Sequence, residues 1–199
     1  LNELGDKFNI PKENRYTHIG KMLKEADINT VDICLHNNMH APVAIAAMEA
    51  GMDVYGEKPM AGSYADALSM YETMQKTGKK LHVQIWSLYS NDTKAAKRFI
   101  DNGDLGRIYH MRSYGFRRRG RPYVDGYGSK EFDNTKTAGG GALFDMGVYH
   151  IAQLLFLTGL PELERVSGAT YQELEMDEKR RRESDFNVEE LGVGFAKFK

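Results

Sequence analysis

The sequence predicts an α/β domain built on a parallel sheet, followed by an α+β domain with a mainly antiparallel open sheet. Residues 30 to 86 alternate short apolar runs with helical patterns, the mark of crossover units. Beyond residue 88 come an alternating strand, a basic glycine-rich loop, an apolar helix and two further strand-like segments, the order of an α+β domain. At 199 residues, 41% of them apolar, the chain has material for one large core or two modest ones. The expected domains are therefore residues 1 to 88, carrying the parallel sheet, and residues 89 to 199.

Thr17 is placed to cap a helix over 18 to 26. "TVDICLH" (30 to 36) reads as a buried strand and "APVAIAAMEAG" (41 to 51) as a helix with Pro42 in its first turn and Gly51 past its end. "DVYG" (53 to 56) is the next strand. Ser63 with Asp66 three residues on resembles a capping box for a helix to Thr77, stopped by Gly78, and "LHVQIW" (81 to 86) is the third strand. In the second half, "NDTKAAKRFIDNG" (91 to 103) is an amphipathic helix ended by glycine, and "GRIYHMRSYGF" (106 to 116) alternates as a strand does. An apolar helix, "AQLLFLTG", follows residue 151, and strand-like segments lie near 163 to 173 and 191 to 198. Both ends read as cut, since no strand precedes the first helical segment and the last residues stop within a strand; a longer protein is expected.

A formal charge of −1 supplies no field for nucleic acid or an anionic membrane, so neither partner is expected. No apolar run reaches the roughly 20 residues of a bilayer span, and nothing resembles a signal peptide. The single cysteine, Cys34, forbids an intrachain disulfide and is compatible with a reducing compartment; a cytoplasmic location is expected. No His or Cys pair has zinc spacing, and no metal site is expected. Neither a G-x-S-x-G, nor a G-x-x-x-x-G-K-[ST], nor a G-x-G-x-x-G is present.

In parallel α/β sheets, ligands collect beyond the carboxyl ends of the strands. There "HNNMH" (36 to 40) and "EKP" (57 to 59) would bring Asn37, His40, Glu57 and Lys58 to one edge. The alternative makes Asn37 and Asn38 turn formers, His40 a helix-start residue and Lys58 a solvated cation. Pro59 restricts the residue before it to extended geometry, which fixes the lysine backbone, and a lysine held this way can donate to a substrate oxygen. The second cluster is "GGGALFDMGVYHI" (139 to 151). Asp145 and Tyr149 are four apart and share a helix face, whereas His150 is rotated roughly 140° from Asp145 at 3.6 residues per turn. The plainer reading makes Asp145 a helix N-terminal acid and Tyr149 a core residue. "FRRRGRP" (116 to 122) reads either as a clamp for an anionic group or as a solvated loop or subunit contact.

Taken in order, "DICLHNNMHAPVAIAAMEAGMDVYGEKPMAGSYADA", "AAKRFIDNGDLGRIYHMRS", "RRRGRP" and "GGGALFDMGVYHI" resemble the glucose-fructose oxidoreductase, inositol dehydrogenase and rhizopine-catabolism family, from roughly residue 15 to the end. The resemblance implies a Rossmann domain followed by an α+β domain whose open sheet makes the oligomer interface of a dimer or tetramer. It implies NAD or NADP as cofactor, with Asn37, His40, Glu57, Lys58 and Pro59 along it, and a carbohydrate substrate held by Lys58, Asp145 and Tyr149, with His150 beside them. Many members carry histidine four residues past the aspartate; here the residue is Tyr149. The family's glycine-rich pyrophosphate turn and the position that separates NAD from NADP have no counterpart in the 199 residues. "QIWSLYS" (84 to 90) lacks the arginines that many relatives carry after this strand. Two other activities are open at this point: an NAD-dependent glycosidase of the same fold, and a non-catalytic binding protein.

Overall fold

A computed structural model describes residues 1 to 199. The chain opens with helix α1 (Asn2–Lys7), a single 3₁₀ turn (Lys12–Asn14) and helix α2 (Ile19–Glu25). Strand β1 (Thr30–Ile33), helix α3 (Asn37–Glu49), strand β2 (Asp53–Glu57), helix α4 (Tyr64–Thr77) and strand β3 (Leu81–Gln84) follow in strict alternation. The three strands are parallel in the order β1-β2-β3, with Val31 opposite Val54 and Val54 opposite Leu81.

The period of two along a strand decides which face is covered. Val31, Ile33 and Val54 point to the same side and are buried there against Ala44, Ala47 and Met48 of α3 and Met70 of α4. Thr30, Asp32 and Tyr55 stand on the opposite, open side, where the Tyr55 ring stacks on His82 at 4.7 Å. Helix α4 has the ends its sequence predicts. The Ser63 hydroxyl accepts from Asp66 N–H at 3.1 Å, and Gly78 closes the helix in the left-handed region at φ 68°.

Helix α3 starts earlier than the spacing predicts. It begins at Asn37 because the link after β1 spans only Cys34 to His36, and Met39 N–H already bonds the His36 carbonyl at 2.8 Å. Pro42 therefore lies in the second turn, not the first. Helix α2 is preceded by His18, not Thr17, and has no side-chain cap. The third strand is two residues shorter than predicted, since Trp86–Tyr89 form a 3₁₀ turn that leads into helix α5 (Asn91–Asp101), capped by Ser90.

The strand expected at 106 to 116 does not form. From Arg107 to Gly120 no backbone N–H donates to another backbone group, and Tyr109, Tyr114 and Phe116 are largely exposed. Alternation gives a segment two faces, but a strand also needs a partner's edge. The antiparallel sheet that does form pairs only strand β4 (Leu163–Tyr171) with strand β5 (Leu191–Phe198), and 106 to 116 joins neither of them.

Between these segments lie a 3₁₀ turn (Lys130–Phe132), the short helix α6 (Thr135–Ala138), a π-helical turn (Leu143–Gly147) and helix α7 (Val148–Leu157). Helix α8 (Glu178–Ser184) sits between β4 and β5, its Asp177 side chain accepting from the Lys179 and Arg180 amides. By length and composition Thr135–Leu157, 23 residues, is apolar enough to cross a membrane. The glycines at 139 to 141 interrupt the helix there, and its Asp145 is ion-paired to Lys58, contacts that a lipid-facing span does not make.

Of the four arginines in "FRRRGRP", Arg121 is structural. Its guanidinium holds Asp125 (2.9 and 3.1 Å) and Glu190 (2.8 Å) and donates to the Leu174 and Glu175 carbonyls, all three charged side chains being largely buried. Hydrogen bonding from Arg121 pulls the Asp125 carboxyl below its ordinary value. Asp133 nearby is the opposite case. It is fully buried, and neither carboxylate oxygen has a partner. Burial pushes its carboxyl up to about 6, with Asp125 adding to the rise; Arg121 and the Ser184 hydroxyl, which itself donates to the Arg181 carbonyl, oppose it.

A raised carboxyl favours the fold in its protonated form. The contribution of Asp133 is complete below its ordinary value of 3.8 and is lost as pH rises through about 6, a loss of about 3 kcal/mol at 1.36 kcal/mol per unit. Asp133→Asn is therefore expected to raise the denaturant midpoint near pH 8 and to flatten the pH dependence of stability between about pH 4 and 7. Denaturant unfolding of both proteins across that range checks this, and parallel pH profiles would contradict it.

Candidate active site

Two clusters 87 residues apart meet at the carboxyl edge of the parallel sheet. Lys58 follows the last residue of β2, and its ammonium donates to Asp145 twice, to Oδ1 at 2.6 Å and to the main-chain carbonyl at 2.7 Å. The lysine side chain is 15% exposed and the aspartate 40%. A nearly buried ammonium needs such a partner. The same Nζ lies 5.0 Å from the centroid of the Tyr149 ring, within cation–π range, and the Trp86 ring centroid is 5.9 Å from that of Tyr149. Arg117 approaches the second oxygen of Asp145 at 3.4 Å, so this carboxylate lies between two cations.

The glycines explain why the clusters meet. At Gly139 (φ 79°) an added Cβ would lie 2.2 Å from the Gly62 carbonyl oxygen, so the two backbones pack with no room for a side chain. At Gly141 a Cβ would lie 2.0 Å from the Glu189 carbonyl oxygen. Glu189, which the sequence analysis did not single out, clamps this turn. Its carboxylate accepts from Gly141 N–H (2.8 Å) and Leu143 N–H (2.9 Å), and its carbonyl accepts from Ala142 N–H (2.9 Å). Nothing in the local sequence marks Glu189, because its partners lie nearly fifty residues upstream.

The chain then enters the π-helical turn, whose i→i+5 bonding displaces the α-helical register just where Asp145 sits. The 140° separation of Asp145 and His150 holds only for an uninterrupted α-helix, and this stretch is not one. Even so, His150 is engaged away from Asp145. Its Nδ1 is 2.6 Å from Ser113 Oγ, and its Nε2 lies against Gly115, where a Cβ would approach to 2.6 Å. His150 thereby holds the 113 to 117 segment that brings Arg117 to Asp145.

Asn37 and His40 hold the scaffold with their side chains. Asn37 Nδ2 donates to the Ala138 carbonyl at 2.7 Å, tying the start of α3 to α6, and it is buried. Each ring nitrogen of His40 faces a carbonyl, Nδ1 that of Pro59 at 2.8 Å and Nε2 that of Leu35 at 3.0 Å. His40 thus joins the loop after β1 to the Pro59 carbonyl, just past the Lys58–Pro59 bond, which is cis. Glu57 Oε2 accepts from Lys58 N–H at 3.2 Å.

Leu35, after β1, and Met39, in the first turn of α3, are exposed apolar side chains in the chain segment that follows β1, and Glu57 ends β2 with Lys58 directly after it. A carboxylate and an ammonium at the carboxyl end of β2, after exposed apolar side chains beyond the end of β1, are groups that suit the nicotinamide riboside end of a dinucleotide. No glycine-rich turn for the pyrophosphate occurs in these residues.

Family models match both halves of the chain. Residues 2–85 match the oxidoreductase family with an NAD-binding Rossmann fold, and residues 93–199 match the GFO/IDH/MocA C-terminal domain. The chain belongs to the Gfo/Idh/MocA oxidoreductase family. It is 31% identical to a D-glucoside 3-dehydrogenase of Escherichia coli over 153 residues, 77% of this chain and 42% of the relative. It is 34% identical to an inositol 2-dehydrogenase of Salmonella typhimurium over 113 residues, 55% of this chain and 33% of that protein. The chain thus spans less than half the length of these curated relatives. Among solved structures, an aldose-aldose oxidoreductase from Caulobacter crescentus complexed with glycerol superimposes with a TM-score of 0.76 at 26% identity, covering 100% of this chain and 56% of its own. A myo-inositol 2-dehydrogenase from Lactobacillus plantarum gives a TM-score of 0.81 at 23% identity over 100% of this chain and 55% of its own, a likeness of fold.

Gly139→Ala is expected to destabilise the full-length protein by more than about 2 kcal/mol, because it imposes both a left-handed alanine and a backbone clash. Denaturant titration measures this; a change under about 0.5 kcal/mol, the range of neutral surface substitutions, would show that the Gly139–Gly62 approach is not required.

Proposed function

We propose that the full-length protein is an NAD(P)-dependent oxidoreductase that moves hydride between the nicotinamide and a sugar, cyclitol or sugar derivative. The observation that carries this reading is the convergence of Lys58, Asp145 and Tyr149 at the carboxyl edge of the sheet, where α/β folds place ligands. The D-glucoside and inositol dehydrogenases among its relatives give the substrate class.

When bound, the nicotinamide supplies the carbon that accepts or gives hydride. The protein must then manage the hydroxyl proton and the charge left on the substrate oxygen. Tyr149, partly exposed and with its ring against the Lys58 ammonium, presents the oxygen that as phenolate takes the proton of the reacting hydroxyl, and as phenol returns it in the reverse direction. Lys58 supplies positive charge beside the oxygen that loses it, and Asp145 fixes the ammonium through two acceptors. His150 acts through Ser113 and Gly115 by seating Arg117, and Glu57, Lys58 and Pro59 line the edge that receives the cofactor ribose.

The same reading includes assembly as a dimer or tetramer through the β4–β5 sheet, where Val166, Val193 and Phe195 lie exposed. It also includes a cytoplasmic location, compatible with the single free thiol of Cys34.

Reduced-nicotinamide absorbance in the full-length enzyme, with NAD and NADP and with glucosides and myo-inositol, tests the activity. Tyr149→Phe is expected to lower kcat by about 10²- to 10⁴-fold with an unchanged unfolding midpoint. Near-wild-type turnover would remove Tyr149 from proton transfer. Lys58→Met is expected to lower kcat at least as far, and by leaving Asp145 without its ammonium it also lowers stability. Cleavage of an aryl glucoside without net cofactor reduction would identify the glycosidase instead.

A further inference from the structure

We infer that Trp86 is the stacking wall of the substrate subsite, and that it selects a ring-closed sugar or cyclitol over an open-chain polyol; the inference rests on the dehydrogenase reading above. Trp86 is the only tryptophan in the 199 residues. It is 60% exposed, which leaves a large flat apolar surface in water beside polar, charged groups. Its position is fixed from below. Trp86 opens the 3₁₀ turn directly after β3, where Leu88 N–H bonds the Ile85 carbonyl at 3.1 Å and Ser90 Oγ donates to the carbonyl of the buried Ser87 at 2.9 Å. The indole thus projects from an anchored turn and not from a mobile loop.

Its neighbour supplies the direction. The indole centroid is 5.9 Å from the Tyr149 ring at a tilt of 55°, and Tyr149 in turn lies against Lys58. A substrate carbon brought to the Tyr149 phenol and the Lys58 ammonium therefore lies next to the indole. A pyranose or cyclitol with equatorial hydroxyls turns a face of axial C–H bonds outward, and such a face removes the indole from water without stripping any hydroxyl of its hydrogen bonds. An open-chain polyol has no rigid C–H face and loses chain entropy if it flattens against the ring. Polar groups and an indole gathered around the one Tyr149 ring combine the apolar surface and the few placed polar groups of a small-molecule site.

The test uses the full-length enzyme, its Trp86→Phe and Trp86→Ala variants, and methyl β-D-glucoside, myo-inositol and D-glucitol as probes. Trp86→Ala is expected to raise KM for the two ring compounds about tenfold or more with kcat within about threefold, and to leave KM for D-glucitol and for the cofactor unchanged. Trp86→Phe, which keeps an aromatic face, is expected to recover most of the loss. The emission of Trp86, taken as the wild-type minus Trp86→Phe spectrum, is expected to change when a ring compound binds. Equal KM changes for ring and open-chain probes, a KM change confined to the cofactor, or emission that no ring compound alters would each overturn the assignment. The emission measurement does not depend on turnover. Loss of the stacking role is therefore distinguishable from failure of the dehydrogenase reading, which Tyr149→Phe reports separately.

Discussion

The site depends on one close approach, the packing of the Gly139 backbone on that of Gly62. Without side chains between them, the turn that leads into the π-helical segment settles against the loop that follows Lys58, Pro59 and Met60. Only at that separation does the lysine ammonium reach both the carboxylate and the carbonyl of Asp145. The constraint is steric, and the electrostatics follow from it: a nearly buried cation placed at this distance needs the partner that the turn delivers. Glu189 completes the joint from the other side by holding the Gly141 and Leu143 amides, so the turn is fixed by one element from each half of the chain.

Around this joint the polar side chains divide into those that hold the frame and those left to face a ligand. Asn37, His40 and Glu189 spend their hydrogen-bonding capacity on backbone groups and join segments remote in sequence. Arg121 does the same for the loop at 173 to 175 through buried pairs to Asp125 and Glu190. Lys58, Asp145, Tyr149, Arg117 and Trp86 keep surface toward the sheet edge. Asp133 belongs to neither group; it is a buried carboxyl without a donor, which makes the frame pH-sensitive.

The parallel unit was legible because its signals are local. Ser63 and Gly78 bound α4 through contacts within a few residues, and the alternation of Val31 and Ile33 alone assigns the covered face of β1. Where an element needs a remote partner, the local pattern misled. Residues 106 to 116 alternate as a strand does, yet they pair with no sheet edge and form no strand. Helical spacing turned His150 away from Asp145 on the premise of an unbroken α-helix; a π-helical turn, which no residue type announces, intervenes, and it is the Ser113 contact that holds His150.

By itself the sequence determined the order of elements in the parallel unit, the residue types at its carboxyl edge and, through resemblance, the family. It could not show that Asn37 and His40 turn their side chains to the scaffold, that Glu189 clamps the glycine turn, or that Trp86 stands beside Tyr149. Each of these is a contact between segments tens of residues apart, and periodicity and capping describe only a chain's nearest neighbours. Packing of the two halves against each other settled them, since only there does the volume that a glycine leaves empty become the distance between a lysine and an aspartate.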